Sequence, residues 1–230
     1  MTIIAGSVAA VAIALPATAH GGPVTADVDA WAYPQTAAVV HSDPSSTAAS
    51  VSKLHFLTEL RTPEVYRVTG RLKSPDDNRT WFRIDVLGRP NGRSGWVPED
   101  ALGPLHKINE TLVINRSALR ANLYRGKRKL FSAPIGIGRG KWPTPPGDFY
   151  IREGIRLKRG GGVYGSFAFG TSAYSPSLSD WPGGGVIGIH GTNEPNLIPG
   201  RISHGCIRMR NPQINRLRRL AGIGTNVEIR

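Results

Sequence analysis

The stretch RISHGCIRM, from Arg201 to Met209, contains Cys206, the only cysteine among the 230 residues of the chain. His204 stands two positions before this cysteine, and His190 stands fourteen positions before His204. A lone cysteine cannot close an internal disulfide, so it is a bridge to another chain, an inert buried thiol or a reactive group. The two histidines favour a reactive group, because an imidazole can take the proton of a thiol and leave the nucleophilic thiolate.

The spacing around Cys206 suggests separate roles for its neighbours. Residues two apart in an extended segment point to the same face, so we expect His204 and Cys206 side by side. Gly205 between them leaves room for a substrate, and the backbone N–H groups of Gly205 and Cys206 are candidates for binding an oxyanion. His190 ends the apolar run GVIGIH and is followed by Gly191, so a strand end would hold it as a general base.

The residues after Lys107 predict a mainly β unit with one short helix. The helix is predicted in NPQINRLRRLAG, where Asn211 would be the N-cap, Pro212 would take the first helical position and Gly222 would end it. The strand-like segments, which are separated by glycines and prolines, are TLVIN (Thr111–Asn115), a hairpin turning at Arg125-Gly126, TPPGDFYIRE (Thr144–Glu153), GSFAFGTS, GGGVIGIHG and TNVEI.

The pattern HG at 190–191, followed by SHGC at 203–206, resembles the signature of L,D-transpeptidases with a YkuD-type catalytic domain. The segment PTPPGDFYI is similar to the Thr-Pro-x-Gly segment of that family, and the resemblance covers residues 107–230. Family members often have Asn two positions after the cysteine, where this chain has Arg208. The resemblance implies a β-sandwich-like domain that cross-links peptidoglycan stem peptides without a metal or cofactor.

The same resemblance implies roles for individual residues. Cys206 would attack the carbonyl of the third residue of a tetrapeptide stem, usually a diamino acid, forming a thioester and releasing the terminal D-alanine. His190 would accept and return the proton, and an amine of a second stem would then take the acyl group. The supporting or oxyanion-binding residues would be Ser203, His204, Gly205 and Gly191. Arg208 would bind a substrate carboxylate or form a structural salt bridge, and both roles stay open.

The first half of the chain predicts a separate small β-barrel. EVYRVTG (Glu64–Gly70) and WFRIDV (Trp81–Val86) alternate like half-buried strands. Asn91-Gly92 predicts a hairpin turn before a short strand at Trp96-Val97. The spacing of these segments resembles bacterial SH3-like domains over residues 29–105, which are common accessory modules of cell-wall enzymes.

The N-terminal residues predict export from the cytoplasm to the cell envelope. Residues 1–19 carry no charged side chain and end in Ala17-Thr18-Ala19, the small-x-small pattern of a signal-peptidase site. A basic segment before the apolar run is missing from these residues. A retained N-terminal anchor is the weaker alternative to export. Residues 20–28 are then expected to be a linker, and the Ser- and Ala-rich residues 42–53 an exposed loop.

The net charge of +13 is concentrated in the second half of the chain. Residues 1–106 carry 9 Lys and Arg against 10 Asp and Glu, whereas residues 107–230 carry 20 against 6. This charge fits a solvated surface or an anionic partner, such as carboxylate-bearing stem peptides or wall polymers. Nucleic acid is disfavoured because the aromatic residues do not alternate with basic ones as a base-stacking surface requires. We expect a monomer.

Other functions stay open at this point. A zinc site is disfavoured by the His-x-Cys spacing and by the lack of a second cysteine. Its ligands would be His190, His204 and Cys206, with a fourth from His106, Asp180 or Glu194. A hydrolase of the NlpC/P60 type is disfavoured because its cysteine precedes its histidine in the chain. An L,D-carboxypeptidase would share the fold and release the thioester to water, and a wall-binding protein would carry a decayed site.

Overall fold

The computed structural model describes residues 26–157, 162–179 and 184–230, which form two β-sheets. The predicted signal peptide, residues 1–19, lies outside the described residues. The described ranges contain one α-helix, and no helix in them is long and apolar enough to cross a membrane. The prediction of a mainly β fold with one short helix is confirmed.

The first sheet is built from residues 26–107. Its strands are β1 (Ala26–Ala32), β2 (Val39–His41), β3 (Ser50–Lys53), β4 (Tyr66–Lys73), β5 (Thr80–Val86), β6 (Arg93–Pro98) and β7 (His106–Lys107). They pair in the order β3-β2-β6-β5-β4-β1-β7 around a hydrophobic cluster of their own. The predicted hairpin joins β5 to β6, and Gly92 in its turn has a φ of 81°, which favours glycine. The likeness to SH3-like domains stays a prediction.

The structure places three predicted boundaries in this half differently. Residues 26–28 of the predicted linker belong to β1, which pairs with β4. The predicted loop 42–53 contains β3, which pairs with β2. Lys107, predicted to begin the second unit, pairs with Ala30 of β1. In each case the backbone pairing decides the structure, and the small or polar side chains of these segments gave no sign of it.

The second sheet is built from residues 110–229. Its elements are β8 (Glu110–Asn115), β9 (Arg120–Arg125), β10 (Arg128–Pro134), β11 (Gly136–Gly138), β12 (Gly147–Arg156), β13 (Phe167–Tyr174), β14 (Val186–His190), β15 (Gly200–Ser203), β16 (Ile207–Arg208), helix α1 (Asn211–Leu217) and β17 (Asn226–Ile229). The strand order is β10-β9-β8-β17-β12-β13-β14-β16-β11-β15. One hydrophobic cluster takes side chains from both ends of this order, including Leu123 and Ile207, so the sheet folds over a shared core like a sandwich.

Helix α1 differs from its prediction at both ends. Arg210, rather than Asn211, occupies the N-cap position, and its backbone N–H donates to the side chain of Gln213 at 3.2 Å. The helix ends at Leu217 and residues 218–220 continue as a turn, so it stops before Gly222. The side chain of Asn211 is thereby free to serve the segment that follows β14.

A buried ion pair joins the two sheets. Arg152 of β12 is 2% exposed, and both its Nε and its Nη2 donate to the carboxylate of Glu64, the first at 2.9 Å. Glu59 lies 3.1 Å from Nη2, and the hydroxyl of Tyr174 accepts from Nη1 at 3.1 Å. Burial opposes the charge of Arg152, but the hydrogen bond and charge of Glu64 raise the pKa of Arg152, so the guanidinium stays charged.

A second arginine ties the first sheet to the segment between β13 and β14. Arg89, which follows β5, donates to the carbonyl oxygens of Ser175 at 2.8 Å, Leu178 at 2.6 Å and Gly184 at 2.9 Å. Charge-assisted hydrogen bonds of this kind are stronger than neutral ones. The chain before β14, which carries part of the candidate site, therefore rests on the first sheet.

We expect Glu64→Gln to destabilise the protein strongly, because it leaves the buried charge of Arg152 with only part of its compensation. The free energy of unfolding should fall by about 3 kcal/mol. Glu99→Gln, which removes an exposed ion pair with Arg71, should cost less than about 1 kcal/mol. Urea denaturation of the three proteins measures both values. Equal losses for the two variants would show that the buried pair is not the dominant contact.

Candidate functional site

The candidate site lies on one face of the second sheet, where four neighbouring segments run side by side. Glu153 of β12 is paired with Gly170 of β13, and Gly170 is paired with Gly188 of β14. The parallel register of β14 and β16 places Cys206, just before β16, beside Gly188. Directly paired residues point to the same face of a sheet, so these four residues form one row.

Alternation along β14 separates the site from the core. Gly188 and His190 point to the site face, whereas Ile187 and Ile189 enter the hydrophobic cluster on the other side. The neighbouring strand continues the pattern, because Arg208 of β16 is paired with His190. The sequence VIGIH thus encodes a buried strand whose open face carries a glycine and then the histidine.

The structure brings the predicted pair Cys206 and His190 together over Gly188. A methyl group placed on Gly188 would lie 3.8 Å from Sγ of Cys206 and 3.7 Å from Cδ2 of His190. The backbone N–H of Gly188 also donates to Sγ at 3.4 Å. A side chain at Gly188 would therefore contact both the thiol and the imidazole, and the glycine leaves this space open.

The hydrogen bond of His190 fixes its tautomer. Nδ1 lies 2.6 Å from the carbonyl oxygen of Gly191, and a carbonyl can only accept, so Nδ1 carries the proton. Nε2 is then the unprotonated nitrogen, and it is bonded to the Cδ2 atom that faces Gly188. Burial lowers the pKa of His190 to about 4; the Gly191 carbonyl opposes this shift, and the charge of Arg208 adds to it. The imidazole is neutral near pH 7 and able to accept a proton.

The thiol of Cys206 is held in its protonated form in the resting protein. Burial raises the pKa of Cys206, while the N–H of Gly188 and the charge of Arg208 act in the opposite direction. A raised thiol pKa beside a lowered imidazole pKa disfavours a preformed thiolate–imidazolium pair. The proton would move when a substrate changes the surroundings of the sulfur.

The turn that carries Cys206 is held by two hydroxyl groups. Ser203 Oγ donates to the carbonyl of Cys206 at 2.6 Å and accepts the N–H of Gly205 at 3.1 Å. Thr144 Oγ1 donates to the carbonyl of Gly205 at 2.7 Å and accepts the N–H of Gly138 at 2.9 Å. Gly205 has a φ of 118°, which favours glycine. Thr144 was missed as a site residue, although it stands in the TPPG segment that the family resemblance includes.

One of the two proposed oxyanion donors is already engaged. The N–H of Gly205 is bound to Ser203 within the turn, so it is not available to a substrate in this arrangement. For the N–H of Cys206, no hydrogen-bond partner is found in the described part of the chain. The expectation for Gly205 is corrected to a role in shaping the turn, and Cys206 keeps its candidate role.

His204 does not take the extended arrangement beside Cys206 that the spacing suggested. Its ring packs against Trp142, with ring centres 4.2 Å apart, and lines a small cavity of about 50 Å³ together with Cys206. Gly205 turns the chain between the two residues, so they do not alternate as in an extended strand. Trp142 belongs to the loop between β11 and β12, and its local sequence does not predict the contact with His204.

Arg208 forms the structural ion pair that was one of its two predicted roles. Its Nη1 lies 2.9 Å from Oε2 of Glu194, and its side chain is 13% exposed. Its Nε is buried and has no hydrogen-bond partner among the described residues. Arg208 also lines the small cavity beside Cys206, so binding of a substrate carboxylate stays a prediction.

Gly191 is required by the packing around Asn211. A Cβ on Gly191 would lie 2.2 Å from Oδ1 of Asn211. That oxygen accepts the backbone N–H groups of Ser166 and Thr192, each at 3.2 Å, and Nδ2 donates to the carbonyl of Thr192 at 3.1 Å. Asn211 thus fixes the chain directly after His190. It was predicted as a helix cap, and a cap and a loop anchor look the same in sequence.

The arrangement does not bring the candidate zinc ligands together. Within residues 26–157, 162–179 and 184–230, no group of three His, Cys, Asp or Glu side chains has the geometry to hold a metal. His106 lies on β7 of the first sheet and stacks on Trp31, and Glu194 pairs with Arg208. Asp180 lies outside the described residues.

A larger cavity of about 490 Å³ opens in front of Cys206 and His190. Gly188, Gly170 and Glu153 contribute to its wall from the second sheet. The first sheet adds Glu59, Leu60 and Thr62 from the segment before β4. Tyr164 packs its edge against His190, with ring centres 4.9 Å apart. The volume lies within the range of small-ligand sites, so a peptide side chain can enter beside the thiol.

A model of the L,D-transpeptidase catalytic domain, named YkuD, matches residues 109–229. The chain belongs to the YkuD family. The chain is 35% identical over 133 residues to a Bacillus subtilis protein that is named as the L,D-transpeptidase YkuD. This match covers 58% of the chain and 70% of the relative. It is 27% identical over 150 residues to YbiS of Escherichia coli K12, covering 57% of this chain and 48% of that protein.

Solved structures of L,D-transpeptidases also resemble the YkuD-family chain. One from Mycobacterium tuberculosis H37Rv aligns with a TM-score of 0.47 and 14% identity, over 86% of this chain and 95% of that one. One from Mycobacterium smegmatis aligns with a TM-score of 0.45 and 12% identity, over 86% and 99% of the two chains.

The pKa directions predict how fast Cys206 reacts with iodoacetamide as pH changes. Because the thiol pKa is raised, the thiolate fraction should grow about tenfold per pH unit between about pH 6 and pH 8. The pKa of His190, about 4, adds no step in that range. Labelling rates measured by mass spectrometry should therefore rise without a plateau. A rate that is flat from pH 5 to pH 8 would instead indicate a preformed ion pair.

We expect Thr144→Val to weaken the turn around Cys206, because it leaves the Gly205 carbonyl and the Gly138 N–H without their partner. The free energy of unfolding should fall by about 1–3 kcal/mol. Thr69→Val, which removes an exposed hydroxyl, should change it by less than about 0.5 kcal/mol. Urea denaturation checks both, and a Thr144 variant as stable as the Thr69 variant contradicts the proposed role.

Proposed function

We propose that this YkuD-family chain is a cysteine acyltransferase that forms cross-links between peptidoglycan stem peptides. The observation that carries the proposal is the pairing of a lone thiol with a histidine whose tautomer leaves Nε2 free to accept its proton. Both groups line a cavity large enough for a peptide side chain. The family name and the relatives' names support the reaction class.

In the acylation step, Nε2 of His190 takes the proton of Cys206 as the sulfur attacks the carbonyl carbon of the third residue of a tetrapeptide stem. The carbonyl oxygen becomes an oxyanion that the N–H of Cys206 can bind. When the peptide bond to the terminal D-alanine breaks, the imidazolium returns its proton to the leaving amine. The products are a thioester on Cys206 and free D-alanine.

In the transfer step, an amine of a second stem attacks the thioester carbonyl. His190 accepts the proton of the attacking amine, the carbon–sulfur bond breaks, and the imidazolium protonates the departing thiolate. A new amide joins the two stems, and the thiol and the neutral imidazole are restored. The low imidazole pKa suits this step, because a neutral base must be present again before each acyl transfer.

Arg208 is proposed to bind a substrate carboxylate at the small cavity. Its ion pair with Glu194 fixes the side chain, while the buried Nε has no protein partner among the described residues. The carboxylate that Arg208 would bind is that of the terminal D-alanine, which leaves with the first product. The basic charge of residues 107–230 fits an anionic wall, and we propose that the protein acts outside the cytoplasm.

Incubation of the purified protein with a disaccharide-tetrapeptide, followed by mass spectrometry, tests the proposal. A cross-linked dimer together with free D-alanine is the expected result. Tripeptide and D-alanine without dimer would mean that water takes the acyl group, as in an L,D-carboxypeptidase. If D-alanine is not released, the proposed function is overturned.

We expect Cys206→Ala to abolish both the release of D-alanine and the covalent adduct with a carbapenem. His190→Gln should slow D-alanine release by about 10²–10⁴-fold, because the general base is lost. His106→Gln, a matched change at an exposed histidine of the first sheet, should leave the rate unchanged. A His190 variant as fast as the His106 variant would remove His190 from the mechanism.

A further inference from the structure

Glu153 is a buried carboxylate with one oxygen left unused. Its side chain is 3% exposed, and Oε2 is bound by the hydroxyls of Thr58, at 2.9 Å, and Thr62. Oε1 has no hydrogen bond from the described residues, and none of their Lys, Arg or His side chains is within ion-pair distance. A buried charge without an opposite charge is costly, so an incoming cation would be bound favourably there.

The free oxygen points along the row that ends at the thiol. A Cβ on Gly170 would lie 2.5 Å from Oε1, so the carboxylate leans over this glycine. Gly170 is paired with Gly188, and Gly188 lies beside Cys206. Two strand spacings of about 4.8 Å separate the backbone of Gly170 from that of Cys206, so the carboxylate and the thiol lie within roughly 10 Å of each other.

The floor between the carboxylate and the thiol carries no side chain. Gly170 and Gly188 supply it, and both line the larger cavity together with Glu153 and Cys206. Any side chain at Gly170 would collide with Glu153, and one at Gly188 would stand beside the sulfur. The result is a trough with the nucleophile at one end and an unpaired carboxylate at the other.

We propose that Glu153 binds the side-chain ammonium group of the residue that is acylated onto Cys206, which makes it a specificity residue for a basic third residue. This inference rests on the proposed acyl transfer. In a lysine-like residue, six bonds separate the carbonyl carbon from the terminal nitrogen, and an extended chain of that length reaches about 7–8 Å. With the bond to sulfur added, the ammonium group lies at the carboxylate end of the trough.

The charges around the trough favour a cation at that end. Glu59 lies on the same wall, and its pKa stays low because the nearby Arg152 and the hydroxyl of Tyr174 outweigh its burial. The single guanidinium of Arg152 pairs with both Glu59 and Glu64. Glu153 is a third carboxylate in addition to these two. Arg208 lines the small cavity beside Cys206 and is not among the residues that line the larger cavity with Glu153. A cation at the Glu153 end therefore does not face this guanidinium.

Glu153 also joins the two sheets through Thr58 and Thr62, so a purely structural role must be separated from recognition. A structural role predicts that losing the charge affects all substrates alike and lowers stability. Recognition predicts a loss confined to substrates that carry the ammonium group. Glu153→Gln keeps the size of the side chain and an oxygen for the threonines, and Glu110→Gln removes a matched carboxylate on β8, which pairs with Arg125.

The experiment uses the full chain and two tetrapeptide donors that differ only in the third residue, lysine or norleucine, with the same acceptor peptide in excess. The rate of D-alanine release gives kcat/KM for each donor. The unaltered protein and Glu110→Gln should prefer the lysine donor. Glu153→Gln should lower kcat/KM for the lysine donor by about 10–100-fold and leave the norleucine donor within about twofold.

The outcomes separate the two proposals. An equal loss for both donors, with a lower urea midpoint, or no loss for either, overturns ammonium binding by Glu153. If the unaltered protein releases no D-alanine from either donor while iodoacetamide still labels Cys206, the proposed acyl transfer fails instead. Glu153→Asp, which keeps the charge on a shorter side chain, should retain part of the preference for lysine.

Discussion

The buried contact between Arg152 and Glu64 is the constraint on which the arrangement of the two sheets depends. A guanidinium with 2% exposure is tolerated only where carboxylates surround it, and both Glu64 and Glu59 come from the first sheet's side of the contact. The register between β12 and β13 shifts between Ile151 and Glu153. Adjacent side chains in a regular strand point to opposite faces, whereas this irregularity lets both Arg152 and Glu153 reach the segment 58–64. The interface and the wall of the cavity are therefore one structure.

The protonation states of the site follow from its place on a covered sheet face. Burial lowers the pKa of His190 and raises that of Cys206, so the resting site carries no charge on either group. A neutral imidazole is the form that can act as a base, and its tautomer is set by the carbonyl of Gly191 rather than by a carboxylate. The anchor of that carbonyl's segment is Asn211, so a residue at the start of α1 holds the orientation of the base.

The sequence predicts the chemistry of the site better than its geometry. Cys206 and His190 stand out because one is unique and the other ends an apolar strand, and both signals are local. The contacts of Thr144 and Trp142 arise from the loop before β12, about sixty residues upstream of the thiol. Glu153 was read as the end of a strand-like segment, since nothing in TPPGDFYIRE reveals that its neighbours in space are two glycines. Strand pairing over long separations supplies that information, and a single sequence does not contain it in readable form.

The basic residues of the second half of the chain and the carboxylates of the cavity wall act over different distances. Exposed charges act over about 8 Å at physiological ionic strength, so the Lys and Arg excess of residues 107–230 influences the approach to an anionic surface and not the choice of one side chain. Glu153 is buried, where screening is weak, and its effect is confined to a group that enters the trough. Because the glycine floor sets the distance from the thiol, the carboxylate would select by both charge and length. A shorter cationic side chain on the acyl residue would leave the ammonium above Gly188, short of the carboxylate that leans over Gly170, and would be a poor donor for the same reason as a neutral one.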